Sequence, residues 1–148
     1  MVRSTWILAL VVAVVGLACW PGPEVGPLIA GQSGGLDANA PLSEIQARYF
    51  TPDCATALCH QGTPSPHTPL SLEDGLSYGT MVNRPAAQAP SMLLVKPGSP
   101  EASYLMLKLL GTVGSTGSVA TRMPPGKGSE ADRIEAVRAW ILRGAPND

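Results

Sequence analysis

The chain has 148 residues and a formal net charge of −1, with 10 Lys and Arg residues against 11 Asp and Glu residues. The net charge is close to zero and the sequence has no basic patch, so nothing points to binding of nucleic acid. The sequence contains neither a glycine-rich phosphate loop before a helix nor a G-x-S-x-G nucleophile motif. The chemistry of the chain must therefore come from other residues.

The N-terminus has the layout of an export signal. Arg3 supplies a positive charge, an apolar run extends from Trp6 to Ala18, and small residues precede Cys19. The run is shorter than the roughly 20 residues of a transmembrane helix, so residues 1–19 are predicted to be a signal peptide. Cys19 can carry a lipid, although Gly16 stands where a lipoprotein signal usually has leucine. We expect an exported protein, periplasmic or anchored at the cell envelope through a lipidated Cys19; soluble secretion and an uncleaved anchor are the alternatives.

Composition divides the rest of the chain into a linker and a domain. Residues 20–41 are rich in Pro and Gly without apolar periodicity, which predicts a flexible linker. Residues 42–148 are predicted to form an all-α domain of about four short helices joined by long loops. The predicted helices are Glu44–Phe50 after Ser43, Leu72–Val82 after Ser71, Ser99–Leu110, and Glu130–Arg143 after Ser129, with Met92–Val95 extended. Because loops this long need something besides helix packing to organise them, a cofactor at the centre is favoured.

The segment Cys54-Ala-Thr-Ala-Leu-Cys59-His60 supplies the strongest chemical motif. Two thiols followed at once by an imidazole are typical of covalent haem attachment, in which each thiol adds across a haem vinyl group. The usual spacing is C-x-x-C-H, whereas four residues separate the cysteines here. The motif predicts one covalently attached haem c, with Cys54 and Cys59 forming the thioethers and His60 as the first axial ligand of the iron.

Met123 is the predicted second axial ligand. It lies between Arg122 and two prolines, which stiffen the backbone and can aim the thioether sulfur at the iron. A thioether favours ferrous iron and raises the reduction potential relative to two imidazoles. The competing ligands are His67, Met81, Met92 and Met106. Arg122 could pair with a haem propionate, but a solvated arginine is the simpler expectation.

Together these segments resemble a bacterial c-type cytochrome domain, in the planctomycete-type variety that often carries C-x4-C-H. The resemblance covers about residues 45–148. Besides the attachment motif, it rests on Leu70–Asn83, Val95–Leu105, Arg122–Pro125 and Trp140–Asp148. Gln61 is a departure, since glycine normally follows the histidine directly. The resemblance implies a small cytochrome c-like fold around one haem.

The sequence therefore predicts a monohaem c-type cytochrome that passes single electrons to an unidentified redox partner protein. An iron ligated by both His60 and Met123 has no open position, so the domain is predicted to be an electron carrier and not an enzyme, and we expect a monomer. Three alternatives stay open. They are a non-redox surface binding or structural module with a Cys54–Cys59 disulfide, a haem sensor or enzyme in which Met123 does not ligate, and a zinc site of Cys54, Cys59, His60 and His67.

Overall fold

Residues 35–62, 69–116, 121–127 and 130–148 are described by a computed structural model, and they lie in the unit that runs from Gly31 to Asp148. The predicted signal at residues 1–19, with Cys19, and the linker as far as residue 34 lie outside the described residues. Within the described ranges, no helix combines the length and the apolar composition that crossing a bilayer requires.

The described part of the chain is mainly helical, with one small antiparallel sheet. Its α-helices are α1 (Leu42–Ile45), α2 (Ser77–Met81), α3 (Tyr104–Leu110) and α4 (Ala131–Leu142). A π-helix (Gln46–Cys54) continues α1, 3₁₀ turns cover Pro100–Ala102 and Val113–Thr116, and the sheet consists of β1 (Pro85–Ala86) and β2 (Ala89–Leu93). The prediction of short helices joined by long connections is confirmed, and the small sheet means that the described residues are mostly helical but not clearly all-α.

The helix at the start of the domain differs from its prediction at both ends. It begins at Leu42 rather than after a Ser43 cap, and Asp148 satisfies its first amides. The Leu42 N–H donates to Asp148 Oδ1 at 2.7 Å, and the Ser43 N–H donates to the Asp148 carbonyl at 2.9 Å. The helix then widens into the π-helix, which carries Pro52 and extends to Cys54. A carboxylate from the far end of the chain thus replaces the local cap, as the positive helix N-terminus favours.

The sheet is a tight hairpin, which the sequence pattern does not predict. Pro85 pairs with Leu93 and Ala86 with Ala89. Prolines normally count against a strand, so this segment has no strand signature apart from the predicted extended run at Met92–Val95. The hairpin ladder is continued by the Leu94 N–H, which donates to the Arg84 carbonyl at 2.7 Å. This arrangement places residues 84–94 beside α3.

The helix predicted over Ser99–Leu110 is interrupted at Ser103. The Ser103 hydroxyl is fully buried, donates to the Ser99 carbonyl at 2.9 Å and accepts the Lys96 N–H at 2.9 Å. These bonds compete with helical ones, so a 3₁₀ turn precedes α3. The predicted stop at Gly111 is confirmed, since Gly111 has the left-handed φ of 75°.

The core forms where α4 packs with the first helix. The buried stripe predicted for α4, Ile134, Val137 and Ile141 with Trp140 alongside, is confirmed. The Trp140 indole N–H donates to the Pro146 carbonyl at 2.8 Å. Leu36 and Ala40, which precede the predicted domain boundary at Leu42, are only 7% and 2% exposed and belong to this core. The packed region therefore includes residues that the composition assigned to the linker.

Replacing Trp140 with alanine is expected to lower the free energy of unfolding by about 3–5 kcal/mol, because the buried indole leaves a large cavity. Leu142→Ala is the matched control, since Leu142 is on the same helix but 55% exposed, and its effect should stay within about 0.5 kcal/mol. Chemical denaturation of the two variants measures both values. Equal losses would contradict the assignment of Trp140 to the core.

Candidate functional site

A cavity of about 870 Å³ lies between the cysteine segment, the hairpin and α3. This volume is in the upper part of the range of about 300–1,000 Å³ that is usual for sites that bind small molecules and cofactors. Its apolar wall includes Phe50, Leu58, Leu70, Leu72, Leu94, Leu105, Leu109, Pro124 and Pro125. The four predicted site residues, Cys54, Cys59, His60 and Met123, all line this one cavity.

The segment from Cys54 to His60 folds back on itself. Cys54 ends the π-helix and is buried, whereas Cys59 and His60 are half-buried. The His60 N–H donates to the Cys54 carbonyl at 3.1 Å, and the Cys59 N–H donates to the Thr56 carbonyl at 2.8 Å. The four intervening residues thus form compact turns, which bring the backbone of His60 next to that of Cys54. The unusual spacing consequently keeps both cysteines and the histidine at the same cavity.

His60 is also tied to the segment that leads to α2. The Leu72 N–H donates to the His60 carbonyl at 2.8 Å. Nearby, the Gly62 N–H donates to Glu73 Oε2 at 2.8 Å. These bonds fix the backbone on the C-terminal side of the motif.

Both cysteines are free thiols in the structure. Burial, reinforced by the negative charges of Asp53 and Glu130, raises the pKa of the Cys54 thiol to about 12. Cys54 is therefore protonated at neutral pH and lacks the thiolate character of a catalytic cysteine.

The loop that carries Met123 is attached to the end of α3. The Met123 N–H donates to the Lys108 carbonyl at 2.9 Å, and Arg122 Nε donates to the Leu109 carbonyl at 3.0 Å. Gly111 leaves room for this approach, because a Cβ there would lie 3.2 Å from the Arg122 Cβ. Arg122 is thus engaged with backbone, which differs from the solvated side chain expected from the sequence.

A charged network joins the cysteine segment to the region after Met123. The Asp53 carboxylate, whose side chain is 11% exposed, contacts both Lys127 and Arg133. Arg133 also pairs with Glu130 at 3.2 Å and lies over the Tyr49 ring, 5.5 Å from its centroid. Because the partners are separated by 74 and 80 residues along the chain, sequence reasoning gave no sign of this network.

The hairpin and α3 contribute polar groups that the sequence analysis missed. Arg84, Gln88 and Lys108 line the cavity. Gln88 Oε1 accepts hydrogen bonds from the Tyr104 hydroxyl at 3.0 Å and from Lys108 Nζ at 3.3 Å, and Arg84 Nε donates to the Gly79 carbonyl at 2.8 Å. Burial lowers the pKa of Lys108. No local motif marks these residues, since only the fold brings them to the cavity.

The competing ligands are placed elsewhere or lie outside the described residues. Met81 and Met106 are buried in the main core, and Met92 packs against the smaller cluster that contains Ala86 and Val113. His67 is outside the described residues. Among the His and Met residues that the structure describes, His60 and Met123 are the ones that line the cavity.

No group of three or more His, Cys, Asp or Glu side chains is placed to hold a metal ion within the residues described. The zinc alternative needs Cys54, Cys59 and His60 with His67. A haem iron needs no such group, since its predicted ligands from the chain are one histidine and one methionine.

Comparison of the chain with known proteins identifies no relative. No protein-family model matches the chain, and no curated protein or solved structure matches it. The function must accordingly be argued from the site itself.

Proposed function

We propose that the domain is a monohaem c-type cytochrome that carries single electrons, with haem held in the cavity of about 870 Å³. One observation carries the proposal: Cys54, Cys59, His60 and Met123 line the same largely apolar cavity, although Met123 is far along the chain from the other three. Two thiols, an imidazole and a thioether are the donor set that covalent attachment and His/Met ligation need. The cavity, its apolar wall and this donor set fit a haem.

The cysteines would attach the haem by addition. Each S–H bond breaks, the sulfur bonds to one vinyl carbon, and the hydrogen goes to the other vinyl carbon. No atom leaves and no external oxidant is consumed.

When bound, haem would supply the one-electron couple of its iron. His60 and Met123 would both ligate the iron, and an iron held by two side chains would favour electron transfer over substrate binding. Phe50, Leu70 and Leu105 would exclude water from the site, and a dry environment with a thioether ligand favours a relatively high reduction potential.

The proposal includes a cellular location outside the cytoplasmic membrane. The signal predicted at residues 1–19 would export the chain, and a lipid on Cys19 would hold it at the cell envelope. In this exported compartment, the domain would act as a monomer and exchange electrons with an unidentified redox partner protein.

A redox titration followed by visible absorption tests this function. The full chain, produced in a host that exports and matures c-type cytochromes, is expected to show a single reversible one-electron transition. The ferrous form should bind carbon monoxide poorly, because both axial positions are filled. The matched control is the Cys54→Ala, Cys59→Ala double variant, which should carry no covalent haem. A wild-type protein without visible absorption, with its two cysteines in a disulfide, would favour the binding-module alternative.

A further inference from the structure

The arginine and the lysine that line the cavity lie at the hairpin and on α3. Arg84 directly precedes β1, Gln88 lies in the turn between the strands, and Lys108 is on α3. Lys108 is half-buried, and Gln88 Oε1 accepts its hydrogen bond at 3.3 Å. Arg84 uses its Nε for the Gly79 carbonyl. This hydrogen bond uses Nε, and the two terminal nitrogens of the guanidinium group do not take part in it.

Neither cation forms an ion pair with a carboxylate within the described part of the chain, where the ion pairs are made by Arg48, Lys127, Arg133 and Arg138. Asp53, which also lines the cavity, is already paired with Lys127 and Arg133. The cavity thus presents two positive charges without a matching negative charge. Lys108 is half-buried, and this burial disfavours its charged form unless an anion compensates it, whereas Arg84 is exposed and free to reach an anion at the rim of the cavity.

Haem has two attachment-competent vinyl groups on one part of its rim and two propionate carboxylates on the opposite part. We propose that Arg84 and Lys108 bind these two carboxylates, with Gln88 positioning the Lys108 ammonium group; this inference rests on the proposed function. Arg84 suits a carboxylate because its planar group can form two parallel hydrogen bonds, and Lys108 supplies a compact charge. The cysteine segment and the cation pair would then fix the orientation of the haem from two sides. Arg122, considered for this role from the sequence, is held by backbone carbonyls and does not line the cavity.

Nuclear magnetic resonance of the wild-type ferrous protein tests the contact without any substitution. We expect nuclear Overhauser effects between the haem propionate methylene protons and the side-chain methylene protons nearest the charges of Arg84 and Lys108. An assigned spectrum in which both side chains lack these effects would overturn the proposal. A wild-type protein that carries no covalent haem would instead refute the proposed function.

Charge-removing variants give a second, independent readout. Arg84→Gln and Lys108→Gln should each lower the reduction potential, because a positive charge near the haem favours the less positive ferrous state. Each should also shift the propionate bending bands of the resonance Raman spectrum, as expected for the loss of a hydrogen bond. Lys96→Gln is the control, since Lys96 is exposed and does not line the cavity, and it should leave both readouts unchanged. Potentials and band positions equal to those of the wild type in both cavity variants would contradict the assignment.

Discussion

Replacing Met123 with alanine is expected to open one axial position of the iron in the proposed cytochrome. The weak near-infrared absorption of a sulfur–iron bond should disappear from the ferric spectrum, and the ferrous protein should bind carbon monoxide readily. Met123→His should keep two strong ligands but lower the reduction potential by roughly 0.1 V or more, within the ~0.8 V over which axial ligands set haem potentials. Absorption spectroscopy and a redox titration measure these changes.

Met92→Leu is the matched control for Met123. Met92 is half-buried like Met123, but it packs against the smaller core cluster and does not line the cavity. Its replacement should leave the near-infrared band and the potential unchanged. If the band survives in Met123→Ala and is lost in another methionine variant, the assignment of the second ligand is wrong.

Replacing His60 with glycine is expected to remove the nitrogen ligand and reduce the yield of mature protein. The remaining haem should change from a low-spin to a high-spin spectrum. Free imidazole should restore the low-spin spectrum in a saturable manner, because it can occupy the space that the missing ring leaves. A role of His60 in folding alone would not produce this rescue by a small ligand.

His67→Gly is the control that the chain itself offers, since these are its two histidines. The turn that follows Cys54 brings His60 to the cavity, so the substitution at position 67 should leave the spectrum unchanged. A loss of low-spin character in His67→Gly, with none in His60→Gly, would transfer the ligand role to His67.

Local patterns predicted the approximate positions of the helices but neither all of their bounds nor the way in which they are joined. The helix predicted over Leu72–Val82 is confined to α2, Ser77–Met81. The last helix was placed almost correctly because its apolar stripe has helical spacing, and Gly111 ended α3 because the left-handed conformation there suits glycine. Asp148 could not be foreseen as the cap of α1, since the two ends of the domain meet only in the folded chain. The hairpin was missed because its prolines argue against strands.

In the candidate site too, some residues could be predicted from the sequence and others could not. Cys54, Cys59 and His60 form a compact motif that sequence reasoning can recognise, and the prolines after Met123 draw attention to that residue. Arg84 and Lys108 carry no such signal, because a lone arginine or lysine is usually solvated. Their proposed role rests on the cavity that they share and on the absence of an ion-pair partner within the described residues.

The measurement that tests the haem proposal most directly is mass spectrometry of the peptide that contains residues 54–60. The peptide should come from wild-type protein matured in a competent host, then unfolded, reduced and alkylated. The proposal predicts the mass of the peptide plus one haem, with both Cys54 and Cys59 protected from alkylation by thioether bonds. A peptide without haem, in which both cysteines are alkylated after reduction of a disulfide, would contradict it.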